Sequence, residues 1–418
     1  MKFIVIGITD HPKPFFQPEV MEAISLGEVF SGGRRHHEIV SPFLPDDAEW
    51  IDITVPLDAV FERYKEHFSL HDAHRSSPVI VFASGDPLFF GFANTIRRKM
   101  PDAEIVLYPS FNSLQMLAHR LVLPYHNMRI VSLTGRPWPE FDKALIEHAE
   151  MIGVLTDREH TPAAISSRML EYGYNAYTIH VGEHLGNPEF EKVSSMTLEE
   201  AAKLTFDYPN CIILEADNSR LSTGVRPSLF GIPDHEFALL DGREKMITKM
   251  PIRLLTLQAL ELQSKRVFWD IGFCTGSVSI EARLQFPHLT IHAFEIRNEC
   301  EALMYQNSRR FGAPGIQVHI GDFMEADLSA IPCPDAVFIG GHGGRLKEIM
   351  TKVRPVLADG GCIVMNSVTS DVVRKVTDRP DSKLLFKEAC AELGLRQEPS
   401  SRIKLNEFNP IEILKCRK

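Results

Sequence analysis

From its first residue the chain alternates short runs rich in β-branched and aromatic residues with longer stretches of helical periodicity, and it does so in two series. In the first series, Lys2–Ile8, 78–83, 129–133, 151–156, 176–181 and 211–214 read as strands, with helices over 91–99, Ser113–Leu121 and 161–172. In the second, 266–271, Thr290–Glu295, 317–320, Ala336–Ile339 and 362–366 read as strands, followed by a closing pair at 401–405 and 411–415. Strands that alternate with helices predict an α/β chain with largely parallel sheets, because parallel neighbours need a crossover long enough to hold a helix. The polar, turn-rich stretch between the series predicts a first domain over 1–216, a linker over 217–228 and a second domain over 229–418. No repeat relates the two series, so two different folds are expected.

A chain of 418 residues exceeds what one core ordinarily supports, in keeping with two domains. Its formal net charge of -10 argues against a partner held through phosphates, so no nucleic acid is expected. Seven cysteines stand at 211, 274, 300, 333, 362, 390 and 416 without a CxxC pair, a pattern that predicts neither a metal site nor a disulfide framework and fits a reducing compartment. The opening MKFIVIGI reads as a core strand, not a signal peptide, and no apolar run reaches the length of a membrane span. A cytoplasmic protein with no membrane partner is expected.

The most informative stretch is VFWDIGFCTGSVSIEARL, in which an apolar strand carrying Asp270 passes through Gly272, Phe273, Cys274, Thr275 and Gly276 into a helix. Glycine there lets the backbone approach a ligand at the carboxyl edge of a sheet. Glu295 closes the next strand, about where an acidic residue accepts both hydroxyls of a ribose. Cys274 stands where a dinucleotide loop carries its middle glycine, so a pyrophosphate fits poorly. The Asp270 carboxylate would repel phosphate but attract the cationic amino-acid end of S-adenosylmethionine. A tight turn without a ligand uses the same glycines, and these residues alone leave both readings standing. Farther on, the loop Gly340 to Gly344 lies where a substrate would meet the cofactor methyl. Its glycines admit a flat ring; Gly341, His342 and Arg345 are candidate catalytic residues there, and Arg253 is a candidate partner for a substrate carboxylate.

In the first half, SPVIVFASGDPLFFGFA is a strand running into the turn Ser84-Gly85-Asp86-Pro87 and then a helix. Gly85 permits a sharp turn, Asp86 can cap the backbone that follows, and Pro87 fixes the geometry. The turn and cap alone are a sufficient reason for these residues.

These motifs carry a resemblance. SGDP is the hallmark of the tetrapyrrole methyltransferases, and SGGRRHHE, YPSFNSLQMLAHRLVLPYHNMRIVSLTGR and PNCIILE are similar, in order, to the C5-methylating precorrin enzymes over about 1–215. IPDHEF, MITKMPIR, DIGFCTGSVSIEA, GDFMEADLSAIPCPDAVFIGGHGG and GGCIVMNSVT resemble the decarboxylating precorrin methyltransferases of the separate-subunit type over nearly all of 230–418. The resemblance implies a two-lobed tetrapyrrole (class III) methyltransferase fold joined to a class I Rossmann-like methyltransferase fold. It implies S-adenosylmethionine as cofactor, held by Ser84, Gly85, Asp86, Pro87 and Ser113, beside Ser110 and Asn112, in the first half. In the second half it implies Thr248, Asp270, Gly272 to Gly276, Glu295 on the ribose, and Asp322 and Phe323 near the adenine. Arg34, Arg35 and Arg136 become anchors for substrate carboxylates. The implied activity is methylation of a precorrin tetrapyrrole, precorrin-6Y or its cobalt counterpart, in cobalamin synthesis. The first half would act at C5 and the second at C15, with loss of carbon dioxide from the ring C acetate at C12. A homo-oligomer is also implied. The family usually has glycine at Cys274, alanine at Phe323, and a further glycine and small residue after Gly7.

Two other classes of function are compatible with the residues. Class I folds are widely reused, so the second half could act on RNA or another small molecule, although the acidity weighs against RNA. The changes at Cys274 and after Gly7 are those of a cofactor-binding regulatory or scaffold protein that has lost its chemistry.

Overall fold

The computed structural model describes residues 1–70, 77–217, 230–368, 381–404 and 410–418. The expected linker, apart from Asp217, lies outside the described residues. Two compact units result. One comprises Met1–Arg136, Glu150–Ser167 and Tyr177–Asp217; the other comprises Pro137–Ala149, Arg168–Ala176 and the described residues of Asn218–Lys418.

The first unit holds two sheets. Its first sheet contains β1 (Lys2–Ile8), β2 (Val29–Gly32), β3 (Glu49–Asp52), β4 (Val79–Ser84) and β5 (Glu104–Tyr108), in the order β3-β2-β4-β1-β5, all parallel. β1 and β4 are apolar at nearly every position because both faces are covered. Phe3 and Val5 join Val79 and Val81 in one cluster, while Ile4, Ile6 and Ile8 join Ile80 and Phe82 in another.

The second sheet contains β6 (Arg129–Ser132), β7 (Met151–Leu155), β8 (Tyr177–Glu183), β9 (Lys192–Thr197) and β10 (Asn210–Ala216), in the order β6-β7-β10-β8-β9. Only β6 and β7 run parallel; the other neighbours are antiparallel, which corrects the expectation of largely parallel strands here. The reason lies in the connections. β8 leads directly into its neighbour β9 with no helix between them, and β9 and β10 are separated only by the short helix Leu198–Ala201.

The second unit is built on an eight-stranded sheet: β11 (Val267–Ile271), β12 (Thr290–Glu295), β13 (Ile316–Ile320), β14 (Ala336–Ile339), β15 (Cys362–Val368), β16 (Arg396–Gln397), β17 (Ser401–Ile403) and β18 (Ile411–Arg417). The order is β13-β12-β11-β14-β15-β18-β16, with β17 on β18; the pairs from β13 to β15 are parallel and β18 is antiparallel to β15. Trp269, Ile271, Val337 and Ile339 face one core, and Phe268, Ala336 and Phe338 face the other. The strand order reverses beside β11, so the chain leaves β11 and β14 in opposite directions and opens a crevice at their carboxyl ends. Among the described residues no helix is long and apolar enough to cross a membrane.

Candidate functional site

The first unit opens at the carboxyl ends of β1 and β4. Gly7 and Gly85 approach so closely there that a Cβ on Gly7 would lie 1.8 Å from the Gly85 carbonyl oxygen. Gly85 holds φ +61°, donates its N–H to the Ile8 carbonyl at 2.8 Å and accepts the Ser110 N–H at 3.2 Å. Asp86 Oδ1 accepts the Leu88 N–H at 2.8 Å and closes the turn. Asn112 caps the helix Ser113–Leu121, exchanging hydrogen bonds with Gln115 at 3.0 Å each way.

Beside this turn lies a cleft of about 490 Å³ whose lining includes Ser84, Gly85, Asn112, Ser113, Arg35 and Arg136. One wall is a polar network. Asp10 accepts from Arg35 at 3.0 Å and faces His184 Nδ1 at 3.4 Å, while Arg35 Nη2 and His36 Nε2 reach Ser84 Oγ at 3.0 and 2.9 Å. Gly33 N–H donates to His36 Nδ1 at 3.3 Å, so Nε2 carries the ring proton and donates to Ser84. Burial, with help from the Arg35 cation, pushes His36 down to about 4, which keeps the ring neutral near pH 7. A hydroxyl oxygen that accepts from two donors has its own hydrogen free, and Ser84 therefore offers a donor to whatever occupies the cleft.

In the second unit the crevice is a cavity of about 320 Å³ lined by residues from the ends of β11, β12, β13 and β14, among them Gly272, Glu295, Asp322, Phe323, Gly341 and His342. Gly272 holds φ +80°, and a Cβ there would fall 2.6 Å from the Gly341 nitrogen. Its first role is thus to let two backbones touch at the switch point. Gly276 turns the chain at φ +75° into the helix Ser277–Gln285. Cys274 also has positive φ, +51°, in a loop position that favours glycine.

Glu295 is largely buried, reaches the cavity and accepts several hydrogen bonds. Oε2 accepts the Cys274 N–H at 3.0 Å and Arg297 Nη2 at 2.7 Å; Oε1 accepts the Ile296 N–H and Arg297 Nε, each at 2.9 Å. Burial alone would raise its pKa, but these hydrogen bonds and the Arg297 charge outweigh it and hold the carboxyl below its ordinary value. Asp270, by contrast, is pushed up to about 7, chiefly by burial and further by the Glu295 charge. Its Oδ2 accepts from Ser279 Oγ at 2.6 Å, whereas Oδ1, like Thr275 Oγ1, is buried with no hydrogen-bond partner.

His342 Nδ1 accepts the Gly344 N–H at 3.1 Å, and burial lowers the pKa of the ring. Arg345 pairs with Asp322 and Glu348, each at 2.7 Å. Phe323 is buried edge-to-face against Phe294 at 5.1 Å between ring centroids.

A family model described as tetrapyrrole (corrin/porphyrin) methylases matches residues 18–202, and one described as a precorrin methyltransferase domain matches residues 241–382. A protein of Sinorhizobium sp named precorrin-6Y C(5,15)-methyltransferase (decarboxylating) is 32% identical over 90% of this chain and 86% of its own length. This chain belongs to that methyltransferase family. The precorrin-6Y C5,15-methyltransferases are S-adenosylmethionine-dependent enzymes with a class III unit followed by a second methyltransferase unit. A cobalt-precorrin-6B C(15)-methyltransferase (decarboxylating) of Salmonella typhimurium is 37% identical over 43% of this chain and 93% of its own. A crystal structure titled precorrin-6y C5,15-methyltransferase, from Geobacter metallireducens GS-15, is 33% identical and covers 46% of this chain and 100% of its own, with a TM-score of 0.39.

Within this precorrin methyltransferase, the predicted residues divide by position. Ser84, Gly85, Ser113, Arg35 and Arg136 line the first cleft; Gly272, Glu295, Asp322, Phe323, Gly341, His342 and Arg345 line the second. Asp86 and Pro87 shape the turn from outside the cleft lining. Thr248, Asp270, Phe273, Cys274, Thr275 and Gly276 stand behind the second cavity's lining, and Asp270 is fully buried. One arginine needs correction as a substrate anchor. Arg253 is fully buried, bonded to Glu281 at 3.1 Å, to Asp234 at 3.2 Å and to the carbonyls of Thr248 and Ile232, so its guanidinium is spent inside the fold. Arg34 lies outside the cleft lining and pairs along its own helix with Glu38 at 3.3 Å. Sequence reasoning missed Asp10, His36, His184 and Phe90. His36 and Phe90 had a signal, standing inside the quoted SGGRRHHE and SPVIVFASGDPLFFGFA; Asp10 and His184 had none.

Proposed function

We propose that this chain methylates precorrin-6Y, or its cobalt counterpart, at C5 and C15 and removes the carboxyl of the C12 acetate, in cobalamin synthesis. The observation that carries the reading is the Glu295 carboxylate, fixed at the end of β12 beside the touching glycines Gly272 and Gly341, in a cavity at the switch point of a parallel sheet. The relatives' names supply the substrate.

The residues suit S-adenosylmethionine. Glu295 lines the cavity and can accept from a ribose, while Asp270 Oδ1 and Thr275 Oγ1, buried behind the lining without a partner, put unsatisfied polar atoms next to the glycine turn. When bound, that cofactor supplies an electrophilic methyl group. The protein's own share is alignment and exclusion of water, because in-line displacement onto an enamine-like bridging carbon needs no strong base. His342 is neutral near pH 7, with Nδ1 accepting from Gly344 and Nε2 lying 3.5 Å from Ser382 Oγ; a substrate carboxylate would take the Nε2–H in place of that long contact. Asp322 and Glu348 hold Arg345 at the rim of the same cavity. In the first unit, Ser84, Ser113, Arg35 and Arg136 have the same tasks for the C5 step. The one bond between the carboxyl carbon and its methylene breaks, carbon dioxide leaves, the electron pair passes into the macrocycle, and the methylene then takes up a proton to become a methyl group; the ring itself is the electron sink.

The reading includes a first domain over 1–216 and a second over 229–418, a cytoplasmic location and a homo-oligomer; the cysteine pattern supports a reducing compartment. The test is incubation of the whole chain with S-adenosylmethionine and precorrin-6Y, followed by mass spectrometry. Two methyl additions with one loss of carbon dioxide are expected, and cofactor binding without methyl transfer would overturn the proposal.

A further inference from the structure

Outside the first cleft, the same unit carries a second recess of about 410 Å³, bounded by Leu88, Phe90, Asn94, Arg98 and Arg136. The two hollows share a wall, since Phe89, Phe90, Gly91 and Arg136 line both. At that wall the Arg136 guanidinium lies 4.8 Å from the centre of the Phe90 ring. Phe90 is 44% exposed and holds φ +53°, a left-handed conformation that a bulky residue seldom takes. The chain therefore sustains strain at an exposed aromatic ring placed between two openings.

Charge gives the recess its chemistry. Arg98 and Arg136 make no ion pair among the described residues, although Arg34, Arg35 and Arg120 of the same unit each hold a carboxylate. In a chain with a net charge of -10, two arginines left without counter-charge around one hollow favour an anion. A guanidinium matches a planar carboxylate through two parallel N–H bonds, and the Phe90 face offers an apolar floor to the methylenes behind such a group.

We propose that this recess is a carboxylate subsite. It receives one acetate or propionate arm of the tetrapyrrole whose ring occupies the adjoining cleft, with Arg136 and Arg98 on the carboxylate and Phe90 beneath the arm. The proposal rests on the C5 reading of the first unit and goes beyond it by naming where an arm is held and by which residues. The subsite fixes the rotation of the ring in its cleft, and hence which bridging carbon faces the methyl donor.

The whole chain is tested as Arg98→Gln, Arg98→Lys and Arg136→Gln. With precorrin-6Y, the KM for C5 methylation should rise about tenfold in each glutamine variant, the worth of one charge-assisted pair. For Arg98→Gln, kcat, the melting temperature and the affinity for S-adenosylhomocysteine should stay as in the wild type; Arg98→Lys should recover part of the loss. A second arm needs no turnover: uroporphyrin, a tetrapyrrole polycarboxylate, is titrated by fluorescence against each variant, and its methyl ester serves as control. The acid should bind the glutamine variants about tenfold more weakly, and the ester should not distinguish them from the wild type. Equal binding of the acid by all variants would overturn the subsite. Absence of C5 methylation by the wild type would instead overturn the C5 reading, with the titration still deciding the recess.

Discussion

Glu295 is held by the same guanidinium that a ribose has to share. Arg297 binds both of its oxygens, and the backbone N–H groups of Cys274 and Ile296 take much of what remains. Arg297 therefore competes with the cofactor's hydroxyls. In Arg297→Gln, S-adenosylhomocysteine should bind about threefold more tightly by calorimetry, a partly exposed pair being worth under about 1 kcal/mol; weaker binding would show that the arginine helps to hold the ligand. Asp270 poses the opposite problem, a carboxyl that burial pushes up from its ordinary 3.8 to about 7. The folded chain then holds that proton more tightly than the unfolded chain does. Its contribution to stability is full below about pH 4, declines as the unfolded carboxyl ionises, and is gone once pH passes about 7. Asp270→Asn lacks this loss, so its melting temperature relative to the wild type should climb between pH 4 and pH 7 and level off above; a constant difference would refute the assignment. Glu295 and Gly272 were legible because each follows an apolar strand at a spacing with a chemical reason. Arg253 was misread, because one arginine beside a turn looks the same in sequence whether its guanidinium faces a ligand or Glu281. Asp10, His36 and His184 come from three separate segments, and only the folded sheet brings them to one wall.

At the level of strands and turns, β1, β4 and β14 were readable because burial on both faces makes them almost wholly apolar, and β11 and β12 because apolar residues dominate up to a carboxylate near the strand end. β2 and β3, with four residues each, β9 with its half-buried polar alternation, and the two-residue β16 were not. Their pairing depends on the neighbouring strand more than on their own composition. Reading the alternation as largely parallel sheets failed at β8 to β10, where β8 turns straight into β9 and only a short helix separates β9 from β10. The contact between Gly7 and Gly85 shows how strongly two elements can constrain each other. Gly7→Ala would drive a methyl group into the Gly85 carbonyl, and relief requires moving either β1 or the turn that shapes the first cleft. C5 methylation should fall at least tenfold, on the order of 1.4 kcal/mol, while C15 methylation persists, as read by mass spectrometry of the products. Loss of both activities would mean that the substitution unfolds more than its own unit.

Across the whole molecule, the two series of strands became two units with different sheet orders, as the absence of a repeat implied. What the sequence could not give was the assignment of 137–149 and 168–176 to the second unit, since that depends on contacts distant in the chain. The division of labour has its own test. Glu295→Ala should abolish C15 methylation and spare C5 methylation, and equal loss of both would contradict it. On this reading, each unit also has its own crevice at the carboxyl edge of its own parallel strands, and spent nucleoside competes with fresh cofactor at both. Two different affinities for that by-product give the chain two thresholds of inhibition. As the ratio of methyl donor to by-product falls, the more sensitive half stalls first and a partly methylated macrocycle accumulates.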